Sequence, residues 1–183
     1  MKIKLHHTPY VSRKITRDLI SCELVETRQE KNAICAQVEK ILDEDIENEL
    51  DLDEKVNVML DKEEDDIEYY HANYKELFWM VKKRIASENN VILNSEDRIS
   101  DISHKILDYL WEEDFIHYVC SDNQIKNIIS ASLDEFIAGF EEADSIVYEK
   151  LKNYKRKIIP GTEEYDLVYE RLYEEELIRR GLA

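Results

Sequence analysis

The chain has 183 residues, 43% of them hydrophobic, and a formal net charge of −17. That is enough for one domain or two small ones, with a core that needs neither disulfides nor a structural metal. The charge is spread over both halves, so it works against binding nucleic acid or an anionic membrane, and no run approaches the roughly 18 apolar residues of a membrane span.

Three Gly and two Pro are too few for the turns of a β-rich or α/β chain. An all-α fold of long helices joined by short polar turns is expected. Thr8-Pro9 predicts the start of the first helix, with Val11, Ile15 and Leu19 at helical spacing behind it. Thr27 and Glu30 have the spacing of a capping box for a second helix, which carries Ile34, Val38, Leu42 and Ile46 on one face. Asp53 to Glu88 contains no Gly or Pro and reads as one long helix or two.

Asn94-Ser95 caps the next helix, with Ile99, Ile102, Ile106 and Leu110 on its apolar face. Ser121 and Gln124 form a further capping box before Ile125, Ile129, Leu133, Phe136 and Phe140, and a separate helix is expected around Asp144 to Tyr154. After Ile159-Pro160-Gly161-Thr162, a last helix runs from about Glu163 to Arg179-Arg180. These bases complement its C-terminal dipole, and Gly181 supplies a left-handed cap.

Shifting the chain by 91 residues without gaps superposes its apolar pattern. Ile15 falls on Ile106, Leu19 on Leu110, Leu24-Val25 on Phe115-Ile116, Ile34 on Ile125, Val38 on Ile129, and Val56 and Leu60 on Val147 and Leu151. A second copy of a core pattern implies a second copy of a fold unit. Two pseudo-repeated units of three to four helices each are therefore expected, residues 1–90 and 91–183. The Pro160-Gly161 turn has no counterpart in the first, where Glu68-Tyr69-Tyr70-His71 stands instead.

Cys22, Cys35 and Cys120 are odd in number and lack CxxC spacing, which points to free thiols and a reducing cytoplasm. The segment Lys155-Arg156-Lys157-Ile158-Ile159-Pro160-Gly161-Thr162-Glu163-Glu164-Tyr165 is a basic stretch that leads into a Pro-Gly turn. Tyr169-Glu170-Arg171-Leu172-Tyr173-Glu174-Glu175-Glu176-Leu177 follows, then Arg179-Arg180-Gly181. Together they resemble the closing stretch of an uncharacterised bacterial family, the domain of unknown function 507, and Ser95 to Phe115 resembles its opening helix. The resemblance implies a bacterial cytoplasmic protein carrying the family's unit in residues 91–183, with a diverged tandem copy before it. It brings no activity, cofactor or catalytic residue.

No cofactor motif or nucleophile signature occurs, and no cofactor is expected. The function read from the residues is a non-catalytic interaction or scaffold protein with an unidentified protein partner, without nucleic acid or membrane; a homo-oligomer stays open. Its candidate partner site is Tyr165, Tyr169 and Tyr173, repeating every four residues on the last helix, beside Lys155, Arg156 and Lys157 and the Pro160-Gly161 turn. The alternative is a metal-binding helical-bundle enzyme. Glu68 and His71 have the i, i+3 spacing of carboxylate-bridged metal sites, and Asp101 and His104 would form a second pair. His6-His7 reads as part of a loosely ordered arm, and Cys35 and Cys120 as buried, inert thiols.

Overall fold

The computed structural model describes residues 3–62, 73–154 and 158–182. Among these the fold is mainly α-helical, with six helices and one small sheet. In chain order the elements are α1 (Thr8–Ser21), β1 (Val25–Thr27), α2 (Lys31–Asp61), α3 (Tyr74–Ile85), α4 (Ser95–Glu112), β2 (Ile116–Tyr118), α5 (Asp122–Lys152) and α6 (Glu163–Arg180). Single 3₁₀ turns at Leu5–His7 and Ser87–Asn89 precede α1 and follow α3.

The helices differ from expectation in their joins. α2 and α5 each run unbroken for 31 residues. Leu52, Val56 and Leu60 therefore continue the apolar face of Ile34 to Ile46, rather than opening a new helix at Asp53. In α5, Ala143, Val147 and Leu151 likewise continue the face of Ile125 to Phe140. The acid-rich stretches between these sets carry no breaker, so the hydrogen-bond ladder simply proceeds. Ser121 and Gln124 do form a capping box. Thr27 cannot cap α2, because it lies in β1 and the helix begins after Glu30. α1 starts after His7, with Pro9 in its first turn; Thr8 instead donates to the Leu5 carbonyl and, at 2.6 Å, to Asp43.

The strands were not expected. β1 and β2 pair antiparallel, with Val25 opposite Tyr118, Glu26 opposite His117 and Thr27 opposite Ile116. The strands begin 91 residues apart, as do α2 and α5, and α1 ends 91 residues before α4. Exchanging the strands by that offset reproduces the same three pairs, so the ribbon is self-complementary about Glu26 and His117. The residues that close α3 with its 3₁₀ turn, and α6, also match. Asn90 and Gly181 are both left-handed, and the next residues, Val91 and Leu182, donate to Ala86 and Leu177.

One hydrophobic core joins the two halves. Val11, Ile15 and Leu19 of α1 and Ile34, Val38 and Leu42 of α2 pack with Ile102, Ile106 and Leu110 of α4 and Ile125, Ile129 and Leu133 of α5. α1 packs on both α2 and α5, and α4 on both α5 and α2. Polar ties follow the same crossing. Lys14 reaches Glu135 at 2.7 Å, and Ser132 donates to Asp18 at 2.8 Å.

Between α2, α3 and α4 lies a buried ion cluster. Arg98 and Lys82 are only 2% and 3% exposed. Arg98 pairs with Asp45 at 2.6 Å and with Glu49, and Lys82 with Glu49 at 2.9 Å and Asp53 at 2.6 Å. Burial works against the ionised form of Glu49, but hydrogen bonds from Arg98 and Lys82 outweigh it and hold its pKa at about 2.

Candidate functional site

α6 lies along the C-terminal half of α5, with Leu172 against Val147 and Leu151. Its tyrosines, set every four residues, line that seam because i, i+4 positions share one helix face. Tyr165, Tyr169 and Tyr173 are each half-buried, so their rings serve the packing and still reach the surface. Above the seam is a cleft of about 850 Å³, walled by Tyr148, Tyr169, Tyr173, Phe140, Asp144 and His7. The Tyr148 and Tyr169 rings are 5.6 Å apart, and those of Tyr169 and Tyr173 are stacked at 5.8 Å. Tyr169 donates its hydroxyl hydrogen to Asp144. Burial and that neighbouring carboxylate push the Tyr169 and Tyr173 hydroxyls above the usual tyrosine pKa, so both stay neutral donors.

His7 supplies the opposite wall. It is not part of a loose arm: the 3₁₀ turn Leu5–His7 folds it inward to 2% exposure, with its ring 4.3 Å from that of Phe140. The Lys4 backbone N–H donates to Nδ1 at 3.2 Å. An accepting Nδ1 puts the proton of a neutral ring on Nε2. That Nε2–H is buried and has no hydrogen-bond partner among the described residues. Burial, aided by His6 and Lys4, lowers the His7 pKa to about 4, so the ring is neutral at pH 7. The cleft also bears Asp166, Glu170 and Glu174 against Lys4 and His6.

Tyr148 is shared with a second depression of about 580 Å³, whose walls include Tyr154, Ile158, Pro160 and Tyr165. Pro160 and Gly161 form a turn there, with Gly161 in the left-handed region at φ 84°. The residues expected to meet a partner thus divide between two adjoining hollows, Tyr169 and Tyr173 in one, Tyr165 and Pro160 in the other. Lys155, Arg156 and Lys157 lie outside the described residues. The sequence reading places Phe140 only on the apolar face of its helix and His7 only in a terminal arm, and gives Asp144 and Tyr148 no part in a site. Asp144 and Tyr148 had a signal, being an i, i+4 pair on one face of α5. The placement of His7 against α5 had none, since only the tertiary fold brings it there.

Of the four candidate metal ligands, Glu68 and His71 lie outside the described residues. Asp101 pairs with Lys105 at 2.7 Å, and Nδ1 of the exposed His104 contacts the Ser100 carbonyl at 3.1 Å. Among the described residues no three His, Cys, Asp or Glu side chains gather as a metal site. The three cysteines are free and only half-buried, with Cys35 Sγ 3.3 Å from the Ser12 hydroxyl.

The fold and the cleft define a mainly α-helical protein with one core shared by both halves and no membrane-crossing helix among its described residues. The family model described as "Protein of unknown function (DUF507)" matches residues 1–182, and the chain belongs to that family. The match is one unit over the whole length, not a unit confined to residues 91–183, so two tandem copies of the family's domain are not supported. No curated protein matches the chain.

Proposed function

We propose that the protein is a non-catalytic interaction module and that the tyrosine-walled cleft between α5, α6 and the Leu5–His7 turn is its docking site. The observation that carries this reading is the state of the cleft walls. Tyr148 is exposed and Tyr169 and Tyr173 are half-buried, so all three bring ring surface to the cleft, and the buried His7 Nε2–H has no acceptor among the described residues. Tyrosines of this kind suit an interface with one dry and one wet side. An unpaired buried donor costs roughly 1–3 kcal/mol, a deficit that a ligand oxygen would remove. The acidic balance of the chain favours a basic partner over nucleic acid.

The reading is tested by placing a photo-crosslinking residue at Glu174, at the cleft, and at Val119, a 96% exposed control site on the β2 side. A discrete adduct from Glu174, missing from Val119 and lost with Tyr148→Ala, is the expected result. Adducts of equal pattern from both sites would overturn it.

The internal correspondence is part of the same proposal. Residues 1–90 and 91–183 are read as diverged copies of one helical unit, interlocked into a single family domain. Its support is the 91-residue offset shared by the strands, the long helices and the left-handed caps. The free thiols and the family resemblance support a bacterial cytoplasmic setting.

A further inference from the structure

The tyrosine cleft has a counterpart in the first half, and the counterpart is full. At the 91-residue offset Asp144 corresponds to Asp53, Tyr173 to Lys82 and Arg98 to His7. In the first half Lys82 Nζ lies 2.6 Å from Asp53, and Arg98 sits close by on Asp45 and Glu49. In the second half Asp144 remains, but Phe136 and Phe140 stand for Asp45 and Glu49, and a tyrosine and a neutral histidine replace the two cations, so what is left of the cluster is one carboxylate. The covering helix also changes sign: Lys75, Lys82 and Lys83 of α3 correspond to Asp166, Tyr173 and Glu174 of α6. The second cleft has therefore kept one of three anions and neither cation of the pair, and its rim has gained Asp166, Glu170 and Glu174, set against Lys4 and His6. His7 lines the same cleft, and its buried Nε2–H, without a partner among the described residues, is an independent deficit beside it.

We infer that the cleft binds a lysine- or arginine-bearing segment of a partner protein, its side-chain cation resting beside Asp144 as Lys82 rests beside Asp53. The inference rests on the docking reading above and names its ligand. Charge complementarity selects the cation, and the Tyr148 and Tyr169 rings offer it aromatic faces. A peptide also meets the other deficit. Its backbone carbonyl accepts from the His7 Nε2–H once a local shift opens that buried atom to the cleft. A simple amine or metal ion brings no such acceptor.

The test is a displayed library of random peptides selected on the full chain and counter-selected on Tyr173→Lys, which restores the lysine of the counterpart. An enriched peptide is synthesised with its lysine or arginine and with norleucine in that place, then titrated calorimetrically. Norleucine and Asp144→Asn are each expected to weaken binding about tenfold or more. Tyr169→Phe, which breaks the same hydrogen bond to Asp144 but keeps the carboxylate, retains binding. Circular dichroism confirms that each variant is folded. Peptides that need Tyr148 yet tolerate norleucine would leave the docking site standing and overturn the cation. Failure to find any peptide sensitive to Tyr148→Ala would remove both. Concentration-dependent dimerisation abolished by Asp144→Asn would overturn the foreign partner in favour of a second copy, whose exposed Arg13 and Arg17 would be the cations.

Discussion

Arg98 is the largest side chain that the fold buries completely, and its charge is matched on α2 by Asp45 and Glu49. Burial disfavours its cation, but the two carboxylates outweigh that and raise its pKa. Removing one member of such a cluster leaves uncompensated charge in a poor solvent. Arg98→Met is expected to cost about 3–5 kcal/mol, measured as a lower urea midpoint at pH 7. His7 gives the opposite kind of sensitivity. Unfolded, it takes up a proton near pH 6.5; folded, not until about pH 4. Between those values the unfolded chain binds the extra proton, so stability falls as pH falls, by about 3 kcal/mol across the window. His7→Leu is expected to stay within about 1 kcal/mol of the parent at pH 7 and to lose this part of the acid slope. Urea midpoints at pH 7, 5 and 4 for both proteins check it. Glu49 and Glu176, held at about pKa 2, add a second window: their contribution is present above pH 4.5 and lost as pH falls toward 2.

At the scale of elements, the helix ends show what a sequence can and cannot announce. Gly181 was legible as a left-handed cap, and it has φ 69°. Gly181→Ala is expected to cost about 1 kcal/mol, seen as a lower thermal midpoint, because a Cβ disfavours that conformation. The loss would extend to Leu182, whose side chain the cap delivers onto Gly139. A Cβ at Gly139 would come within 2.8 Å of it. The Ser121–Gln124 box was legible for a similar reason, since its chemistry is local. The Thr27–Glu30 pair had the same spacing, but pairing of Thr27 with Ile116 took it out of reach of α2. Three-residue strands with no Gly-containing hairpin between them leave almost no periodic signal, and their partner lies 91 residues away. Of the site, the α6 tyrosines were legible from their spacing. The wall opposite them was not, because His7 meets Phe140 only through the packing of α1 on α5.

The whole molecule is held by contacts that cross between its halves. β1 has its only described strand partner in the second half, and the core draws on α1, α2, α4 and α5 together. A chain cut between Ile92 and Leu93 is therefore expected to give two fragments with little cooperative unfolding alone, and a cooperative transition when mixed. Circular dichroism melts of each fragment and of the equimolar mixture check this. Two independently melting fragments would contradict the shared core.

The self-complementary ribbon also bears on how the protein is made. β1 leaves the ribosome some 90 residues ahead of the strand that pairs with it. At about 5–20 residues per second, that is a wait of roughly 5–20 s. Throughout it, α1 and α2 exist without α4 and α5, their apolar faces uncovered and one strand edge unpaired. Another nascent first half on the same message would offer β1 an equivalent edge, since Val25 and Thr27 match the places of Ile116 and Tyr118. The interlocked architecture that makes the finished protein one body thus also makes its newborn half a competitor for its own completion.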